Sequence, residues 1–200
     1  MTIAHDRPLA VRLIRRLEED ERLERLASAL GPLADLVSSP PSRRSMLLGA
    51  PTGHAAHPFL TDLPLGAWTS ASILDLVGGR QARPAARTLI GVGVLAAVPA
   101  SVTGLAEWTH TDPASGRVGA LHAAGNTVAL ALFGASWLAR GHGHHRRGVV
   151  LALAGGGLAA AAGFLGGHLA AARNVTSRDE EFASSLPADA DQELRGSMLT

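Results

Sequence analysis

Four long apolar stretches, near 58–79, 86–108, 118–139 and 148–171, limit what this chain can fold into. Each is about 22 residues long, and a helix rising 1.5 Å per residue needs about 20 to cross the hydrocarbon of a bilayer. A water-soluble bundle would carry a polar stripe along every helix. Here Thr88–Leu105 and Val149–Leu165 carry no charge at all. The pattern predicts an all-α protein: an integral membrane antiparallel four-helix bundle, preceded by an amphipathic N-terminal helix. Connections of fewer than ten residues make the spans antiparallel neighbours and set both termini on one side.

Charge follows the same division. The chain is 46% apolar with a formal net charge of +1, and nearly all its charge lies in the first 50 residues, the last 27 and two short loops. A bilayer imposes that separation, because a charge at mid-membrane costs several kcal/mol. Three segments follow: an amphipathic helical lead-in (1–45), a four-span domain (46–172) and an acidic tail (173–200) with too little apolar surface to fold alone. No basic stripe with interleaved aromatics is present, so nucleic acid is not an expected partner. The absence of cysteine excludes disulfides, thiolate metal sites and cysteine-ligated iron–sulfur clusters. All 18 basic residues are arginine, a coding bias that, with the abundant alanine, points to a GC-rich bacterial genome; the expected location is a bacterial inner membrane. Arginines near the spans divide almost evenly between the two faces, so the positive-inside rule assigns no orientation.

In the lead-in, Leu23, Leu26 and Leu30 recur at helical spacing, Gly31-Pro32 is expected to break the helix, and Leu33, Leu36 and Val37 form one further turn. Its mixed charge signs favour packing on its own bundle over lying on a lipid surface. Trp108 and Trp137, and less clearly Trp68, are placed like interfacial belt residues. Gly163-xxx-Gly167 suits close helix approach, either in a homo-oligomer or, more usually, within the bundle.

Antiparallel topology brings the starts of spans one and three and the ends of spans two and four to one face. His122 and His168 each lie about five residues inside their spans, roughly 7–8 Å past a flanking arginine. Asp62 and Thr103 fall at similar depth, with His54, His57, Glu107 and His110 just outside. The opposite leaflet is expected to lack such a cluster. His122 and Asn126 are four apart, on one helix face, where the amide can orient the imidazole or its ligand. Three readings of this layer stand. In the first, His122 and His168 are axial ligands of a b-type haem, with His57 and Asn126 beside it. In the second, His54, His57, Asp62, Glu107, His122 and His168 supply a divalent metal site. In the third, the layer is a hydrogen-bonded cluster that fixes helix register and binds nothing. His142, His144 and His145 read as a solvated turn among arginines. No nucleophile elbow, phosphate loop or zinc-protease motif marks an enzyme.

From His54-Ala-Ala-His57-Pro58 through Asp62-Leu-Pro64-Leu-Gly66-Ala-Trp68 the chain resembles the bacterial membrane-protein family catalogued as domain of unknown function 2231. Leu74-Asp75-Leu76, Thr103-Gly104-Leu105-Ala106-Glu107-Trp108, His122-xxx-Asn126 and Gly166-Gly167-His168-Leu169 extend the likeness over about 45–172. The resemblance implies a four-span membrane domain. Relatives fused to a Rieske iron–sulfur domain imply an electron-transfer setting and a redox or Rieske-type partner. This chain departs from the family after the last histidine, reading Leu169-Ala-Ala-Ala-Arg173. The expected function is a small electron-transfer subunit; the alternatives are a non-catalytic membrane scaffold and a divalent-metal-binding membrane protein.

Overall fold

A computed structural model describes residues 8–109 and 111–177. The described residues form helices α1 (Leu9–Glu19), α2 (Arg22–Ser38), α3 (Pro41–Leu47), α4 (Ala56–Val77), α5 (Arg83–Trp108), α6 (Pro113–Gly141) and α7 (His145–Ala171). Single 3-10 turns at Ala50–Thr52 and Arg80–Ala82 precede α4 and α5, and no strand occurs among the described residues. His110 and residues 178–200, most of the acidic tail, lie outside them.

The lead-in breaks where the sequence reading did not place it. The helix runs through Gly31-Pro32 and divides instead at Glu19-Asp20-Glu21. Asp20 Oδ1 accepts from Arg22 N at 2.9 Å and so starts α2. Pro32 and Ser28, one turn before it, are both exposed. The proline ring and the carbonyl it leaves unbonded therefore meet the surroundings and not a neighbouring helix. Asp112 starts α6 more firmly, accepting from Ala114 N (3.0 Å), Ser115 N (3.1 Å) and Ser115 Oγ (2.6 Å), with Pro113 in the first turn.

The four long helices close a ring of contacts: α4 on α5, α5 on α6, α6 on α7 and α7 on α4. The ring is filled mainly by small side chains. Ala71, Ala86, Ala106, Ala129 and Ala152 are buried, with Phe133, Ile90, Val118 and Trp68 the main large residues inside. Large apolar groups lie on the outside, among them Phe59, Leu63, Leu76, Leu95, Val128 and Phe164. Water reverses that order, whereas in lipid helix contacts rely on close approach of small residues and the outer face must be apolar. Close packing fixes several glycines. A Cβ on Gly93 would collide with Trp68, and one on Gly155 would meet Phe133 at 3.2 Å. Gly163 and Gly167 play no such part: nothing lies within 4 Å of a Cβ at either, so they face away from the bundle and not into it.

Three helical segments, Arg80–Trp108, Pro113–Gly141 and His145–Ala171, are long and apolar enough to cross a membrane. The expected fourth, α4, has the length, at 22 residues, but not the mean apolarity. Thr61, Asp62, Thr69, Ser70, Ser72 and Asp75 lower its average.

The lead-in packs on the ring, with α1 and α2 both against α6 and α2 also against α5. Ile14 and Ala34 are buried there. Arg117 ties it down, donating Nη1 to Glu18 O at 2.8 Å and Nε to Glu24 Oε2 at 3.0 Å. After α7 the chain returns over the same face, where Ser177 N donates to Glu107 Oε2 at 2.9 Å. Ser177 Oγ contacts Glu107 Oε1 and Leu48 O.

Candidate functional site

Two imidazoles face each other across the ring, from helices that are not sequence neighbours. His57 stands in the first turn of α4, and its Nδ1 lies 2.8 Å from Ala100 O on α5. Thr103 Oγ1 donates to the same carbonyl at 2.9 Å. His122 lies on α6, with Nδ1 2.7 Å from Ala162 O on α7. The ring centroids are 6.4 Å apart and the ring planes stand at 88°. A carbonyl only accepts, so each Nδ1 carries the proton and each Nε2 keeps its lone pair. A ring nitrogen anchored on a backbone carbonyl is the usual support for an imidazole that binds metal through its other nitrogen. Asn126 Nδ2 lies 3.1 Å from His122 Nε2, the contact expected from their four-residue spacing. Glycines make room for both rings: a Cβ on Gly104 would come 2.7 Å from His57 Cε1, and one on Gly166 2.7 Å from His122 Cε1.

The other candidates go elsewhere. His168, the expected partner of His122, points at the lead-in, its Nε2 3.1 Å from Glu18 Oε1, with Arg173 Nε 3.6 Å from the same oxygen. It lines an open cleft of about 360 Å³ between α1 and α7, beside Ile14 and Phe164. His122 is paired with His57 and Asn126, so the expected axial pair is not assembled. Asp62 is exposed on the outer side of α4. Glu107 is taken by Ser177, and His54 Nδ1 lies 3.0 Å from Thr52 O in the preceding turn. Among the described residues no three histidine or acidic side chains converge into a metal site. The six-residue divalent site is therefore not formed.

The opposite face is not empty, contrary to expectation. Asp75 near the end of α4 and Arg140 near the end of α6 form a two-pronged ion pair, Nη1 to Oδ1 at 2.8 Å and Nη2 to Oδ2, with side chains 1% and 2% exposed. Arg140 Nε donates to Ser136 Oγ at 3.1 Å, and that hydroxyl donates to Gly148 O at 2.7 Å. The sequence carried the signal: two charges of opposite sign at the same end of apolar helices, each needing a partner at that depth. Between the two polar layers Trp68 stacks on Phe133, centroids 3.9 Å apart and planes at 10°. Trp68 Nε1 donates to Ile90 O at 3.4 Å. Trp68 is thus a mid-bundle residue and not a belt residue.

A family model described as "Predicted membrane protein (DUF2231)" matches residues 53–179. That stretch holds both imidazoles, both members of the ion pair and all four long helices. No curated protein and no solved structure matches the chain.

Proposed function

Since the chain belongs to the DUF2231 family of predicted membrane proteins, we propose that all four long helices cross the bilayer as an antiparallel bundle serving electron transfer through a bis-imidazole haem b. In this reading α4 spans despite its composition. Three of the six polar side chains that lower its average are satisfied internally: Asp75 by Arg140, Ser72 Oγ by Trp68 O at 2.9 Å, and Thr61 Oγ1 by Pro58 O at 2.6 Å. Phe59, Leu63, Ile73, Leu76 and Val77 are left to face lipid. At 1.5 Å per residue the helix is about 33 Å long, enough for the hydrocarbon.

The carrying observation is the His57–His122 pair. The two rings stand edge to face with centroids 6.4 Å apart, one from α4 and one from α6. Both Nδ1 atoms are held by carbonyls, so Nε2 would be the ligating atom. His57 and His122, in place of His122 and His168, would hold the group, and haem bound there would supply one-electron chemistry. Gly104 and Gly166 seat the rings, Thr103 shares the carbonyl that orients His57, and the Asn126 amide lies against His122 Nε2. The lead-in and the returning chain at Ser177 cover this face, where a redox partner of the Rieske type would dock. A bacterial inner membrane with both termini on one side completes the proposal.

A reduced-minus-oxidised visible spectrum of detergent-purified protein, made with haem precursor supplied, tests it. Sharp α and Soret bands are expected, lost in His57→Ala and in His122→Ala but kept in His168→Ala. A flat spectrum from folded protein sinks the redox reading. A scaffold role is then favoured by the open glycine face of α7, where Gly157, Gly163 and Gly167 have nothing within 4 Å of a Cβ. That face suits another membrane helix.

A further inference from the structure

The residues on the bundle axis repeat with a fixed offset. Asp75 and Arg140 are 65 positions apart, and the same interval relates Trp68 to Phe133 and His57 to His122. Each of these pairs meets across the ring: the ion pair, the stacked rings, the facing imidazoles. Helices α5 and α7 repeat likewise, with an interval three residues shorter. Ala100 and Ala162 supply the carbonyls that hold the two histidines. Gly104 and Gly166 seat the same two rings, and Gly93 and Gly155 seat Trp68 and Phe133. Burial follows the same offsets: Ala71 with Ser136, Ala86 with Gly148, and Ile90 with Ala152 are all buried.

We infer that the four long helices are two copies of one two-helix unit, α4–α5 and α6–α7, joined through a self-complementary surface about a twofold axis along the bundle. The partner that either surface fits is a second copy of the unit. A two-helix repeat keeps its direction in the membrane, so the copies are parallel and their axis runs along the membrane normal. Side-chain identities have diverged while the contacts persist, because in an isologous interface the residues on the twofold axis meet their own equivalents. The Asp75–Arg140 layer then acts as the pairing code. Two identical units would set Asp75 against Asp75 or Arg140 against Arg140 in a buried layer, so each unit rejects its own kind and accepts the other. This inference does not depend on haem.

An exchange of equivalents within the full chain tests it, read as the melting temperature and size-exclusion profile in one detergent. The layer exchange combines Asp75→Arg, Ala71→Ser and Ala86→Gly with Arg140→Asp, Ser136→Ala and Gly148→Ala. Under the twofold it returns the ion pair with its serine and its glycine, the halves interchanged. Asp75→Arg alone and Arg140→Asp alone are expected to lose the monodisperse peak or melt far lower, and the layer exchange to recover at least half of the loss. As a milder second test, Phe133→Trp is expected to lower the melting temperature and Trp68→Phe added to it to restore it, each ring position facing a glycine. Recovery in either layer supports the twofold. No recovery in both layers overturns it.

Discussion

Each proposed ligand sits against a glycine, and that sets the sign of the simplest substitutions. Inside a helix, Gly→Ala ordinarily stabilises by about 0.5–1 kcal/mol, because alanine loses less backbone freedom on folding. At Gly104 and Gly166 the added methyl would stand 2.7 Å from an imidazole carbon, and overpacking of this kind costs about 1–3 kcal/mol. Gly104→Ala and Gly166→Ala are therefore expected to lower the melting temperature, while Gly163→Ala and Gly167→Ala, with open space beyond, raise it. Thermal melts of the four variants in one detergent check the contrast, and equal shifts at all four would contradict it. The same geometry explains why His168 does not meet His122. Counting from a flanking arginine fixes depth in the membrane but not direction around the helix. His168 follows Gly166 by two residues, a turn of about 200°, and Gly166 is the residue that faces His122. Asn126 was legible because a four-residue spacing fixes direction as well as depth. His57 and Ala100 are 43 residues apart, and only the packed ring brings them together.

Helix ends depart from the sequence expectation at two places where a proline stands. Pro32 stays within α2, and α6 starts at Pro113, capped by Asp112, ahead of the span expected from 118. The Ser115 hydroxyl holds the Asp112 carboxyl below its ordinary pKa against the opposing effect of burial, helped by the Ser115 amide, Arg173 and the Ala114 amide. A carboxyl with a depressed folded pKa stabilises the protein above its unfolded value, near pH 4, and that contribution is lost as pH falls through the folded value. Asp112→Ala is expected to cost about 0.5–2 kcal/mol at neutral pH. The difference from the parent should shrink below about pH 4. Melts of both proteins across that range check it; a gap that widens with acid would contradict the cap. The hydropathy of α4 belongs to the same scale. An average over residues counts Asp75 at full polar weight, although Arg140 neutralises it on another helix.

At the scale of the whole molecule, the number of spans decides which loops share a side. The chain has no cysteine, so single cysteines report cleanly. With α4 across the bilayer, Ser42→Cys and Gln81→Cys in vesicles of one orientation label from opposite sides with an impermeant maleimide. With α4 outside it they label from the same side. The helical class and the short connections were plain in the sequence. The twofold was not, since its copies share positions and contacts more than residue types: aspartate stands where its equivalent is arginine, tryptophan where it is phenylalanine. The three-residue 3-10 turn Arg80–Ala82 accounts for the difference between the two intervals, and it bears on which changes of chain length the protein tolerates. Excising Arg80, Gln81 and Ala82 would give the first hairpin the connection length of the second, with every helical position still in register. Removing the single residue Val94 would instead turn the rest of α5 by about 100°, carrying Ala100 and Gly104 away from His57. Purified side by side, the first deletion is expected to remain monodisperse and the second to aggregate, so that in this family insertions and deletions should collect at the hairpin tips.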